Sequence, residues 1–500
     1  MTERPNIHTL GELRAAGYAH RPLRHEIREN LLAALSEGRD PWTGLHGLSD
    51  TVLPQVERAL LAGHDIVLLG ERGQGKTRLL RTLAGLLDEW SPEVEGSDLH
   101  EHPEDPLTEA TRARIALEGE DLPIVWRHRD ERYVEKLATP DTSVADLIGD
   151  VDPIRVAEGR RLGDPETIHF GLIPRAHRGI VAINELPDLA ERIQVSMLNV
   201  MEERDVQIRG YVLRLPLDVL VVASANPEDY TNRGRIITPL KDRFGAEIRT
   251  HYPVELEDEI AVTRQEAELV AEVPDTLLEI LARYTRLLRE SPAVDQRSGV
   301  SARFSIAGAE TTAAAALRRA AVHGEEQAVA RLVDIEAAVD VLAGKIEFES
   351  GEEGREIATL EHLLRRATMD TVQARLRGID LGPLIEALDG TVTVSTGGDV
   401  PAREFLDGLP ALAEDDDAPP AGGSPDERPG GSAEDDAADA PTQPDSPGSR
   451  GPADLYDRLA ERLNATNPGQ RANAIELALE ALFLSRKISK DADAEGTVYG

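Results

Sequence analysis

The octet Gly70-Glu-Arg-Gly-Gln-Gly-Lys-Thr77 constrains this chain more than any other feature. It follows an apolar run, Asp65-IVLLG, and precedes Arg78–Leu87, where leucines recur at helical spacing. A short apolar run bounded by glycine reads as a buried strand. Glycines at 70, 73 and 75 allow the tight turn from strand into helix. Strand, glycine-rich turn and helix in that order open a parallel α/β layer. The runs Leu122-PIVW, Gly179-IVAIN and Leu217-DVLVVASAN alternate with helical stretches and read as further buried parallel strands. The expected fold class is therefore α/β, an αβα sandwich around a parallel sheet.

The pattern divides the chain into six expected segments. Residues 1–50 read as a helical lead-in, and 51–254 as the α/β domain with an acidic, turn-rich surface insert at 91–122. Residues 255–377 are almost purely helical in pattern, with Asp275–Leu288 and Ala313–Leu342 as the clearest helices; Pro274 suits a helix start. Residues 378–412 form a mixed extension. Residues 413–450 are rich in Pro, Gly, Ser and Asp and bury too little apolar surface to offset ordering entropy, so a disordered acidic linker is expected. Residues 451–500 regain helical patterning, at Leu455–Leu463 and Ala472–Leu484. They read as a short C-terminal helical module, either docking onto something or loosely attached.

Composition narrows the function classes. The apolar fraction of 40% supports a sizeable core, but aromatics are only 3%, so it must be aliphatic. With no cysteine, thiolate metal sites, Cys nucleophiles and disulfides are excluded, which fits a reducing cytoplasm. No apolar stretch reaches the roughly 20 residues of a membrane helix, and Met1–Leu13 has no apolar signal core. The net charge of −37 argues against general binding to nucleic-acid phosphates, which depends on Lys and Arg.

The octet fits G-x-x-x-x-G-K-[ST] in its strand–loop–helix context, the pattern that cradles nucleotide phosphates. Gly70, Gly73, Gly75, Lys76, Thr77 and Arg78 are the expected nucleotide contacts. Lys76 would reach the β- and γ-phosphates of ATP, and Thr77 would ligate Mg²⁺. Gly179-IVAINEL ends in Asn184-Glu185: Glu185 stands where a water-activating carboxylate belongs, and Asn184 where Asp usually holds the metal through water. Asn184 and Glu185 thus join Thr77 as expected metal-site residues, although Asn brings no charge. Asn226, ending Val219-LVVASAN, could orient the attacking water. Arg243 in Pro239-LKDRFG, and Arg303 or Arg297 near Ser298-GVSARFSIAG, are the candidate cations; alone, an Arg in a turn such as Arg243 is most often a solvated charge, and Arg303 or Arg297 could equally be one.

In this order the motifs resemble the AAA+ ATPases, in the branch of the magnesium-chelatase I subunit and MoxR. The telling phrases are Phe170–Leu189 (FGLIPRAHRGIVAINELPDL), Leu198–Tyr211 (LNVMEERDVQIRGY), Ser224–Tyr230 (SANPEDY) and Ile237–Gly245 (ITPLKDRFG). The resemblance spans roughly residues 45–345. It implies that Lys76 and Thr77 are Walker A, Glu185 Walker B, Asn226 sensor 1, Arg243 an arginine finger acting on a neighbour's ATP, and Arg303 sensor 2. It also implies a hairpin at about Glu203–Leu217, a helical lid domain, a hexameric ring and a partner bearing a von Willebrand A domain. No D-x-S-x-S metal motif of such a domain occurs here. Asn184 and the region beyond 412 depart from the pattern.

The leading expectation is a cytoplasmic ATP-hydrolysing chaperone or motor that remodels a partner protein, a von Willebrand A-domain protein or a metal-insertion system. Nothing in the residues supports chelation itself. A DNA-acting motor of the related helicase clade is the second class, disfavoured by the acidic charge. A nucleotide-gated scaffold with weak hydrolysis is the third, and Asn184 speaks for it. A sigma-54 activator would need a GAFTGA loop, which the sequence lacks.

Overall fold

The structure, a computed structural model, describes residues 3–152, 154, 157, 167–202, 206–208, 211–213, 215–226, 234–295, 299–352, 354–388, 392–412, 455–493 and 496–500. The expected linker at 413–450, Arg297, and residues 227–230 of SANPEDY lie outside them. The chain forms two compact units, Met1–Glu266 with Val294–Phe304, and Ala267–Ala293 with Ser305–Gly500.

The first unit is an α/β layer on a five-stranded sheet. Its strands are β1 (Ile66–Leu69), β2 (Tyr133–Leu137), β3 (Gly179–Asn184), β4 (Val219–Ala225) and β5 (Ala246–Arg249), in the order β5-β1-β4-β3-β2. Every pairing is parallel. β1, β3 and β4 are buried throughout, as strands covered on both faces must be. Alternate residues serve opposite cores. Ile66, Leu68, Ile180, Ala182, Leu220 and Val222 pack with the helices Leu23–Ser36 and Leu53–Ala62. Val67, Leu69, Val181, Ile183, Val219 and Val221 pack with Ile193 and Met197 of the helix Glu191–Glu202.

Several expectations need correction. The run Leu122-PIVW supplies a strand, Ile124–His128, but outside the central sheet: it pairs antiparallel with Trp90–Val94. Its apolar side chains are satisfied by Leu10, Leu13 and Val94, so it has no need of the main sheet. The fifth sheet position goes instead to β2, which lacks an unbroken apolar run because Glu135 and Lys136 are only half-buried. The segment 91–122, expected as a surface loop, contains most of Trp90–Val94 and the helix Glu109–Glu118, with Val94 and Leu122 buried. The helix expected over 78–87 is α-helical from Lys76 to Thr82 and tightens to a 3-10 turn at Leu83–Leu86. The hairpin expected near 203–217 is present as Val206–Ile208 paired antiparallel with Tyr211–Leu213.

The second unit is mainly helical. Asp275–Glu290 begins at Pro274, as the sequence predicts. The long helix expected over 313–342 is broken: Arg303–His323 is followed by Leu332–Glu336 and Val339–Ala343. The C-terminal residues are neither purely helical nor a separate body. Pro468–Leu484 is buried inside this unit, and a three-stranded antiparallel sheet joins Val394–Thr396, Gly496–Tyr499 and Lys490–Asp493. What holds the C-terminal helix is the fully buried Arg331. Its guanidinium donates to Glu476 Oε1, to Thr396 Oγ1 at 2.8 Å and to the Val400 carbonyl at 2.6 Å.

Candidate functional site

β1 delivers the chain into the octet at the C-terminal edge of the sheet. Gly73 and Gly75 adopt φ of 78° and 75°, the left-handed region that glycine enters without a Cβ penalty. Close approach forbids a side chain at two further contacts. A Cβ at Gly70 would stand 2.0 Å from Thr250 Oγ1, and one at Gly73 would stand 2.3 Å from Ser301 Cβ. Gln74 Oε1 accepts from the Glu71 N–H and, at 2.7 Å, from the Thr250 hydroxyl, pinning the loop to the end of β5. Tyr252 donates its hydroxyl to the Arg72 carbonyl at 2.7 Å.

Lys76 and Thr77 begin the helix Lys76–Thr82. Lys76 is buried, and its Nζ donates to the carbonyls of Gly70 and, at 2.7 Å, Glu71. Thr77 is half-buried, while Arg78 is exposed and ion-paired with Glu266.

The neighbouring strand ends complete this edge. The Gly70 N–H donates to the Ala225 carbonyl at 3.1 Å, placing the loop beside the buried Asn226 at the end of β4. Ser224 Oγ donates to Asn184 Oδ1 at 3.0 Å, joining the ends of β4 and β3. Asn184 Nδ2 in turn donates to Glu135 Oε1 on β2 at 2.7 Å. Glu135 is held on its other side by Arg81, at 2.8 and 3.0 Å. Glu185 sits at φ 54°, ψ 48°, a left-handed conformation that costs a non-glycine residue on the order of 1 kcal/mol. Its N–H points to Ser224 Oγ at 3.4 Å. Such strain persists where the surroundings over-determine it, and it clusters at functional sites.

The structure thus brings together the loop Gly70–Thr77, Asn184, Glu185 and Asn226. Arg303 starts its helix next to Ser301, whose Oγ accepts from the Arg303 N–H at 3.2 Å, and Ser301 itself abuts Gly73; the Arg303 side chain is exposed. Arg243 is not gathered with these residues. It ends the helix Thr238–Arg243 and pairs with Glu202, Nε to Oε2 being 2.8 Å. Sequence reasoning missed Gln74, Glu135, Ser224, Thr250 and Ser301. Only Glu135 left a signal, the strand-like stretch Tyr133-VEKL, and its relation to Asn184 needs the sheet order.

Among the described residues no cluster of His, Cys, Asp and Glu forms a metal site, and no helix is long and apolar enough to cross a membrane. The Thr77 hydroxyl, the Asn184 amide oxygen and the Glu185 carboxylate are oxygen donors of the kind a hard divalent cation such as Mg²⁺ takes.

The chain is similar in sequence to several known proteins. The family description "Sigma-54 interaction domain" matches residues 162–243, the stretch from before β3 to Arg243. The magnesium-chelatase 38 kDa subunit of Acidiphilium rubrum is 28% identical over 336 residues, 65% of this chain and 86% of that protein. The magnesium-chelatase subunit ChlI of Synechocystis sp. is 31% identical over 211 residues, 40% of this chain and 54% of that one. ChlI of Anabaena variabilis is 27% identical over 220 residues, and the match again spans only 60% of the relative. Among solved structures, a complex of the magnesium-chelatase subunits BchI and BchD matches at 21% identity and TM-score 0.33, covering 64% of this chain and 99% of that one. With a parallel sheet in the order 5-1-4-3-2, a glycine loop on β1 and the chelatase-like phrases aligned on β3 and β4, the chain belongs to the AAA+ ATPases, in the branch of the magnesium-chelatase I subunit.

Proposed function

We propose that this chain is an ATP-hydrolysing motor subunit that works in a ring and remodels or activates a partner protein. The observation that carries the reading is the single edge onto which the sheet brings Gly70–Thr77, Asn184-Glu185 and Asn226, through the hydrogen bonds Gly70 to Ala225 and Ser224 to Asn184. Loop N–H groups and the helix N-terminus receive the phosphates. Lys76 exchanges its loop carbonyls for the β- and γ-phosphate oxygens. Thr77 and Asn184 would hold Mg²⁺, which when bound would neutralise charge on the phosphates. Glu185 takes the proton of the attacking water, and Asn226 orients that water. Arg243, which pairs with Glu202, fits an arginine finger reaching a neighbouring subunit's ATP, which gives ring assembly a chemical purpose. Arg303, beside the loop through Ser301, fits sensor 2.

The partner in this reading is a von Willebrand A-domain protein, as a likeness to the chelatase branch implies; metal insertion and a hexameric ring are finer parts of the same proposal. A second reading, a nucleotide-gated scaffold with slow hydrolysis, is favoured by Asn184 in place of an acid. The test is ATP turnover with Mg²⁺ alongside nucleotide binding. The motor reading expects wild-type turnover that Lys76→Ala abolishes with binding and Glu185→Gln abolishes without it. Turnover unaffected by Glu185→Gln overturns the catalytic assignment; tight binding with negligible wild-type turnover, even with a partner present, selects the scaffold.

A further inference from the structure

We infer that Glu135 is the acidic group of the magnesium site, acting through Asn184 and replacing the charge that Asn184 itself lacks. The inference rests on the reading of Gly70–Thr77 as an ATP·Mg²⁺ loop. Its first support is hydrogen-bond logic. A carboxylate only accepts, so Asn184 must turn Nδ2 towards Glu135, and it does, at 2.7 Å. That leaves Oδ1 to accept from Ser224 at 3.0 Å, with a second lone pair for a metal-bound water. Donation to a carboxylate raises the basicity of the opposite end of the amide, as a carboxylate behind a ligating histidine does for the imidazole.

The second support is compatibility. An aspartate at 184 would set two carboxylates at hydrogen-bonding distance, and one would be driven to take up a proton. Asn184 and Glu135 therefore form a matched pair, in which the negative charge has moved one strand across the sheet, from β3 to β2. The third support is placement. Glu135 is also bound by Arg81, one helical turn beyond Thr77 and on the same helix face. The carboxylate thus bridges the helix that carries Thr77 and the strand that carries Asn184. With its side chain 23% exposed, it keeps contact with solvent. Glu135 is a positioning residue: it touches Asn184, not the reacting atoms.

The experiment measures binding of a fluorescent ATP analogue to the full chain, with Mg²⁺ titrated from chelator-free zero and unfolding temperature followed for each variant. In the wild type, Mg²⁺ tightens binding. Glu135→Gln, which can still accept from Asn184, raises the Mg²⁺ concentration at half-effect by about 10- to 100-fold, the range for lost outer-shell carboxylates. Asn184→Asp alone raises it too, through repulsion, and the double variant Glu135→Gln/Asn184→Asp returns it towards wild type. Arg81→Gln removes the cationic partner of Glu135 but leaves the carboxylate's charge and its bond from the Tyr133 hydroxyl, and does not raise it. Equal shifts in Arg81→Gln and Glu135→Gln, no shift in Glu135→Gln, or a double variant no better than Glu135→Gln would each overturn the inference. Failure of the wild type to bind nucleotide at any Mg²⁺ concentration would instead overturn the underlying reading, and the inference with it.

Discussion

Ser301 stands against Gly73 so closely that a Cβ on the glycine would lie 2.3 Å from the serine Cβ and 2.8 Å from its Cα. The segment leading into Arg303 thus rests on the glycine loop. Gly73→Ala must both force φ 78° on a residue with a Cβ and push this segment away. We expect it to weaken nucleotide binding at least tenfold, and to cost about 1–2 kcal/mol of local stability from the left-handed strain alone. Isothermal titration with ATP and denaturant unfolding check the two halves; Ser301→Gly in the same background should recover part of the loss.

Glu185→Gln keeps the size of the side chain and removes its basicity. Turnover should fall by about 10²- to 10⁴-fold, the range for a lost general base, while ATP remains bound. A single-turnover assay with trapped nucleotide separates the two quantities.

Arg243 and Glu202 form an ion pair at the surface, side chains 31% and 49% exposed, so its loss should cost little stability. Its loss should cost much hydrolysis, by about 10³-fold or more if the arginine completes a neighbour's site. Mixing inactive Arg243→Ala with inactive Lys76→Ala chains should restore measurable turnover, since each supplies what the other lacks. No recovery in mixtures shown to co-assemble would place the residue outside the reaction.

In the second unit, Glu476 is 1% exposed and faces the fully buried Arg331. Glu476→Ala strands that guanidinium, and a broken buried pair costs about 3–5 kcal/mol. A lowered unfolding midpoint with intact nucleotide binding by the first unit is the expected result, measured by calorimetry and titration. Arg331→Met/Glu476→Leu should be milder than Glu476→Ala, because no buried charge is left alone.

A histidine cluster in the first unit predicts a pH effect. Burial, and then the Arg178 cation, push His102 down to about 2 and His177 to about 3, below the ordinary value of 6.5. His20 lies beside His102, ring centroids 4.4 Å apart, and Tyr18 stacks on it. Both rings are neutral in the fold but protonate in the unfolded chain below 6.5. Their contribution is therefore fully present above pH 6.5 and is lost as pH falls from 6.5 towards 3, by at most about 1.4 kcal/mol per pH unit for each ring. Denaturant midpoints between pH 7.5 and 5 should fall more steeply in the wild type than in His102→Gln.

Local sequence alone determined the glycine loop and much of the sheet. Gly73 and Gly75 sit where φ is positive, Pro274 caps Asp275–Glu290, and the runs at Ile66–Leu69, Gly179–Asn184 and Val219–Ala225 are buried strands. Those features depend on neighbours within a few residues, so spacing and residue type carry them. Tertiary structure decided what spacing cannot encode. Ile124–His128 carries the stronger local strand signal, yet the partner packed against each, Leu10 and Leu13 or the neighbouring β3, assigns it to a side ladder and the weaker β2 to the central sheet. The same holds for the bonds from Asn184 to Glu135, 49 residues apart, and from Arg331 to Glu476, 145 apart. A buried charge or amide must find its partner wherever the fold brings one, and that choice is made by strand order and core packing, after the local elements have formed.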